Sequence, residues 1–177
     1  VYKRQMQGVL NIKKAPPDEG FEFVLAGRSN AGKSSALNCL TKNKKLARTS
    51  KMPGRTTEVN FFKVNDEIKL VDLPGYGFSK MSIDKKKNLD ILLDNYFSSR
   101  QSLCAAIIFM DIRHPLKDSD IQMMEFCNRH GVPFISVLTK SDKLNSSAIA
   151  KSTKSVEKKL NSQSIIVTSS NNDEGFD

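Results

Sequence analysis

Gly27, Arg28, Ser29, Asn30, Ala31, Gly32, Lys33 and Ser34 spell G-x-x-x-x-G-K-S, a spacing whose chemistry is the cradling of phosphates. The two glycines let the backbone wrap tightly, so that successive N–H groups face an anion at the positive end of a helix. Lys33 brings a point charge to the β and γ phosphates. The Ser34 hydroxyl is the expected magnesium ligand, and Ser35 follows beside the α phosphate.

Farther along, Asp72-Leu73-Pro74-Gly75 ends an apolar run. Its carboxylate can hold magnesium through water, and the Gly75 N–H can sense a γ phosphate. Alone, such a turn is commonplace; after the first motif it gains meaning. Between the two, Pro53-Gly54-Arg55-Thr56-Thr57 lies in a basic loop where one of the threonines could complete the magnesium shell. Thr139-Lys140-Ser141-Asp142 would choose the base, because the Asp142 carboxylate can accept from N1–H and the 2-amino group of guanine, donors that adenine lacks. Lys140 can lay its stem along the purine, and Thr168-Ser169-Ser170 can offer backbone N–H groups to guanine O6.

These boxes need strands that end beside them. Residues 21–26 form a short apolar run ending in glycine, and helix signals begin at Lys33. Runs 59–64 and 68–73 flank Asn65 and Asp66 and read as a hairpin. Strands at 105–110, 134–138 and 165–168 then alternate with amphipathic segments at 84–99, 118–129 and 147–160. The order predicts an α/β fold of three layers: a mostly parallel six-stranded sheet with one antiparallel strand, helices on both faces and the ligand at the carboxyl ends of the strands. The boxes in this order predict a guanine-nucleotide-binding P-loop GTPase domain occupying residues 1–177 as one unit.

With 28 Lys+Arg against 19 Asp+Glu the formal charge is +9, which favours a polyanionic partner such as RNA or an acidic membrane surface without choosing between them. Cys39, Cys104 and Cys127 sit among apolar residues without metal-ligand spacing, which fits a reducing, cytoplasmic setting. The longest apolar run, 105–110, is far too short to span a bilayer. Lys42, Lys44, Lys45, Arg48, Lys51 and Arg55 precede or lie in the first loop expected to respond to a γ phosphate, and Lys80, Lys85, Lys86 and Lys87 follow the second. Nucleotide state could thus reshape a cationic surface. His114 belongs to a surface loop and is assigned no chemistry.

The segments GRSNAGKSS, ARTSKMPGRT, NFFKV, LVDLPGYGF, SRQSL, MDIRHPLKDSD and LTKSDKL together resemble the EngB (YihA/YsxC) GTPases of the TrmE-Era-EngA-EngB-septin-like superfamily, over nearly the whole chain. The resemblance implies a GTP/GDP switch with magnesium held by Ser34, Thr56 and Asp72, Thr56 being preferred to Thr57 on this ground. It implies a role in large ribosomal subunit assembly and in the cell division and septation that depend on it. The expected partner is the large subunit or its ribosomal RNA, with no DNA, no stable membrane association and the chain acting as a cytoplasmic monomer of bacterial type. Asn30 occupies the position that, in potassium-activated relatives, helps hold a monovalent cation against the phosphates. Lys33, Thr56, Gly75 and Asn30 are then the residues expected to bear on hydrolysis. Glu174-Gly175-Phe176-Asp177 departs from the family pattern by resembling the first turn of a helix that would continue past the end.

Two other classes of function compete with this reading. A P-loop kinase would need an acceptor lid and no guanine box, and both expectations fail. A GTP-binding scaffold with negligible hydrolysis is kept as the alternative, because Tyr76 follows Gly75 where Ras-type proteins carry a water-orienting glutamine.

Overall fold

The structure is a computed structural model describing residues 4–43, 46, 58–76, 82–161 and 165–176. Its elements run β1 (Arg4–Val9), β2 (Phe21–Gly27), α1 (Lys33–Leu40), β3 (Val59–Lys63), β4 (Ile68–Asp72), α2 (Ile83–Ser99), β5 (Leu103–Asp111), α3 (Asp118–Arg129), β6 (Phe134–Thr139), α4 (Ser146–Leu160) and β7 (Ile165–Val167). They build one sheet in the order β1-β3-β4-β2-β5-β6-β7. β3 alone runs antiparallel to the rest, pairing with β1 on one side and β4 on the other.

The α/β class, the hairpin and the single antiparallel strand are as the sequence predicts; the sheet has seven strands rather than six among the described residues. The extra strand is β1, read Arg-Gln-Met-Gln-Gly-Val, which has too few apolar residues to signal burial. It lies at the sheet edge, and of residues 5–9 only Val9 is drawn into the core.

The inner strands are apolar on both faces because helices cover both. Val24, Ala26, Ile108 and Met110 point to one side, against Leu92 and Tyr96 of α2, Met123 and Cys127 of α3 and Val156 of α4. Leu25, Phe109 and Val137 point to the other, against Ala36 and Leu37 of α1. Burying each large side chain of this kind contributes about 1.5–3 kcal/mol. Helix starts are set by caps: the Ser82 hydroxyl accepts from the Lys85 N–H, and Asn145 Oδ1 accepts from the Ala148 N–H at 2.9 Å. The turn between β3 and β4 is closed by Asn65 Oδ1, which accepts from the N–H groups of Glu67 at 2.9 Å and Ile68 at 2.7 Å.

At the amino ends of the strands, Glu22 is fully buried (0 % exposed). Its carboxylate accepts from the Tyr96 hydroxyl at 2.9 Å and from both Nε and Nη2 of Arg100, with Lys69 Nζ at 3.7 Å. Arg100 also donates to the Pro16 carbonyl at 2.9 Å, and Lys69 Nζ donates to the carbonyls of Pro17 and Glu19 at 2.7 and 2.8 Å.

Candidate nucleotide site

At the opposite, carboxyl ends of the strands, β2 runs into a loop that delivers the chain to the N-terminus of α1. Gly27 is required because a Cβ there would lie 2.8 Å from the Phe109 carbonyl oxygen. Gly32 caps α1 at φ 90° against the side chain of Thr139, a conformation that favours glycine. Exposed Asn30 also takes a left-handed φ of 61°. Lys33, Ser34 and Ser35 form the first turn of α1.

Lys33 Nζ donates to Asp72 Oδ1, and both residues are buried. Burial pushes the Asp72 carboxyl above its usual range, and Lys33 opposes that rise. Leu73 and Pro74 are buried beneath the loop, the Leu73 N–H donating to Leu25 O at 3.1 Å. Gly75 lies flat on the loop, since a Cβ on it would approach Ser29 N to 3.2 Å. Two backbone bonds of 3.3 Å clamp the segments together: Ser29 N–H to Tyr76 O and Tyr76 N–H to Gly27 O.

The chemistry of the donors fits magnesium. Among the described residues no group of three His, Cys, Asp or Glu side chains is placed to form an all-protein metal cage. One hydroxyl, Ser34, and one carboxylate, Asp72, are hard oxygen donors of the kind that hold magnesium together with phosphate oxygens and water.

The second half of the site is pinned to the first. Thr139 Oγ1 donates to Ala31 O at 2.6 Å and to Met110 O at 3.2 Å. Lys140, at φ 62°, donates from Nζ to Asn30 O at 2.6 Å and pairs with Asp111 Oδ2 at 3.0 Å. Ser141 N–H donates to Thr168 O at 3.1 Å, and its hydroxyl donates to the Glu174 carboxylate at 2.8 Å. Asp142 accepts from the Ser169 hydroxyl at 2.9 Å, the Asn171 amide at 2.7 Å and Lys143 Nζ at 2.8 Å. These donors, Lys143 first, hold the exposed Asp142 carboxyl below its usual range. The Ser170 carbonyl accepts from Cys39 Sγ at 3.9 Å.

The structure thus brings Gly27 to Ser35, Asp72 to Gly75, Thr139 to Asp142 and Thr168 to Ser170 to one end of the sheet. Pro53, Gly54, Arg55 and Thr56 lie outside the described residues, as do Lys44, Lys45, Arg48, Lys51 and Lys80. Sequence reading missed Asp111, which joins Arg113 and Lys140 at the end of β5; its place after a buried strand was the available signal. It also missed the cluster in which buried Asp120, in the first turn of α3, pairs with Arg28 Nε at 3.3 Å and accepts from the Tyr76 hydroxyl at 3.1 Å. Arg28 Nη2 donates to His114 O at 2.8 Å, so its side chain serves the loop's anchorage. Burial, aided by Asp120, pushes the Tyr76 phenol far above its ordinary value.

A phosphate loop opening α1 and a carboxylate turn after β6, at the carboxyl ends of a parallel sheet, define a P-loop nucleotide-binding domain of the GTPase class. Residues 22–140 match the model of a family described as 50S ribosome-binding GTPase. Proteins described as probable GTP-binding protein EngB are 50% identical over 86% of this chain and 76% of the relative in Stenotrophomonas maltophilia, and 49% identical over 88% and 76% in Mannheimia succiniciproducens. A crystal structure of a probable GTP-binding protein EngB superposes with a TM-score of 0.70 at 20% identity, over 88% of this chain and 92% of that one, which bears on the fold. The chain belongs to the EngB family of GTPases.

Proposed function

We propose that this GTPase is a magnesium-dependent GTP/GDP switch with slow intrinsic hydrolysis, working in assembly of the large ribosomal subunit and thereby in cell division and septation. The observation that carries the reading is the pinning of the base turn to the phosphate loop through Thr139 and Lys140. A nucleotide held by backbone N–H groups of Gly27 to Ser35 would have its base presented to Asp142 by the same rigid unit. Lys33 would move its charge to the β and γ phosphates, and Gly75 would report the γ phosphate by its N–H. Ser34, Asp72 and Thr56 would hold magnesium, whose positive charge offsets the charge that develops on the phosphates. Thr168, Ser169 and Ser170 would address guanine O6. Titration of labelled GDP and ADP tests this: GDP should bind far more tightly, and Asp142→Asn should lose GDP while gaining xanthosine diphosphate.

Slow turnover follows from Tyr76, whose hydroxyl is committed to Asp120 and whose raised pKa bars it from acting as a base at neutral pH. A potassium ion beside Asn30 would supply the missing charge. Turnover measured at equal ionic strength should then be faster in potassium than in sodium, with Asn30→Ala removing the difference; equal rates in the two salts for the native chain would sink this role.

The ribosomal reading is supported by the description of the matching family and by the +9 formal charge. Lys85, Lys86 and Lys87 stand exposed in the first turns of α2, directly after the loop that carries Gly75. Large subunits should pellet with the GTP form more than with the GDP form, and less at high salt. Charge reversal at the three lysines should weaken the pelleting.

A further inference from the structure

An ionised carboxylate offers two acceptor sites on each oxygen. On Asp142, among the described residues, Oδ1 takes the Ser169 hydroxyl at 2.9 Å and keeps one site, whereas Oδ2 takes both the Asn171 amide at 2.7 Å and Lys143 Nζ at 2.8 Å and is filled. Guanine approaches a carboxylate as a fork, N1–H on one oxygen and the 2-amino group on the other. One of the donors on Oδ2 must therefore leave for the second bond to form.

The two donors are not equivalent. Lys143 sits in the turn immediately after Asp142, with half its side chain in solvent, and a flexible exposed ammonium moves to water at little cost. Asn171 approaches from the segment after β7, and its own N–H donates to Ser169 Oγ at 3.3 Å, the same hydroxyl that holds Oδ1. Its carboxamide is thus anchored beside the carboxylate through a shared partner, and it presents an N–H donor in place of the base's own.

We propose that Asn171 is a specificity-determining residue, its carboxamide competing with the guanine 2-amino group for Oδ2 of Asp142. The inference rests on Asp142 being the residue that reads the base. Hypoxanthine keeps N1–H but lacks the 2-amino group, so an inosine nucleotide needs only the open site on Oδ1 and leaves Asn171 where it is. The native chain therefore discriminates weakly between GDP and IDP. Removing the carboxamide strengthens GDP and leaves IDP unchanged.

The experiment measures dissociation constants of GDP and IDP for the native chain and for Asn171→Ala, Lys143→Met and Asp142→Asn. Asn171→Ala should bind GDP roughly tenfold more tightly, the scale of one charge-assisted hydrogen bond, with IDP within about twofold of native. Asn171 is exposed, so the variant should fold. Weaker GDP binding by Asn171→Ala, an equal change for GDP and IDP, or a GDP-selective gain in Lys143→Met instead would overturn the proposal. Asp142→Asn separates the two layers: unchanged GDP affinity there defeats the base assignment itself, whereas lost GDP affinity with an unresponsive Asn171→Ala defeats only the competition.

Discussion

The two ends of the sheet each bury a carboxylate with a cation, and they do it differently. At the amino ends Glu22 is surrounded by Tyr96, Arg100 and Lys69, and the two cations spend their remaining donors on the carbonyls of Pro16, Pro17 and Glu19. At the carboxyl ends Asp72 has Lys33, and burial still raises its pKa. A closed network of this kind ties the segment before β2 to the end of α2, which is work for stability. A buried carboxylate with one partner among the described residues is a group suited to something that arrives from outside.

Substitution at either end should separate the two roles. Glu22→Ala strands two cations in the interior and should cost about 3–5 kcal/mol in denaturant unfolding, while GDP selectivity in whatever remains folded stays as it was. Asp72→Asn should cost less, about 1–2 kcal/mol, because the amide oxygen still accepts from Lys33 although the opposite charge is gone, and with the magnesium role proposed above it should lower turnover roughly a hundredfold. If Asp72→Asn unfolded the protein as Glu22→Ala does, the division of labour between the two ends would be wrong. Tyr76→Phe removes one hydrogen bond to Asp120 and should cost about 1–2 kcal/mol, with single-turnover hydrolysis within about twofold of native.

The smallest effect belongs to Asp111. Burial would raise its carboxyl, but Arg113 and Lys140 hold it well below the ordinary carboxylate range. A depressed folded pKa gives stability that is present above the unfolded value of about 3.9 and is lost as pH falls through the folded one. Asp111→Asn should therefore lose less stability than the native chain between pH 5 and pH 2, a difference readable from urea midpoints across that range; parallel curves would refute it.

How much of this was legible beforehand depended on locality. The runs at 27–34 and 139–142 could be read because each is short and its residue types announce its local geometry, as Gly32 does with a φ of 90°, although what forces Gly27 is the distant Phe109 carbonyl. The helix at 118–129 was read to both ends because apolar spacing and Asp118 mark it; α2 and α4 began one residue earlier, at caps that periodicity does not resolve. β1 was missed because an edge strand satisfies itself through backbone pairing with β3 and carries little apolar pattern. The cluster of Arg28, Tyr76 and Asp120 was invisible because its members converge only when β2, β4 and α3 are assembled. Asn171 on Asp142 belongs to the same kind, a contact made by a turn whose path the sequence does not specify.

The strand order has a consequence in time. β2 finds its central neighbour in β5, with Glu22 opposite Leu103, so the sheet's middle seam cannot close until a further eighty or so residues are available to it. During synthesis at about 5–20 residues per second, β2 waits several seconds beside β4 alone, one apolar edge unpaired. Refolding from denaturant should accordingly be limited by that long-range closure and slow relative to helical proteins of this length.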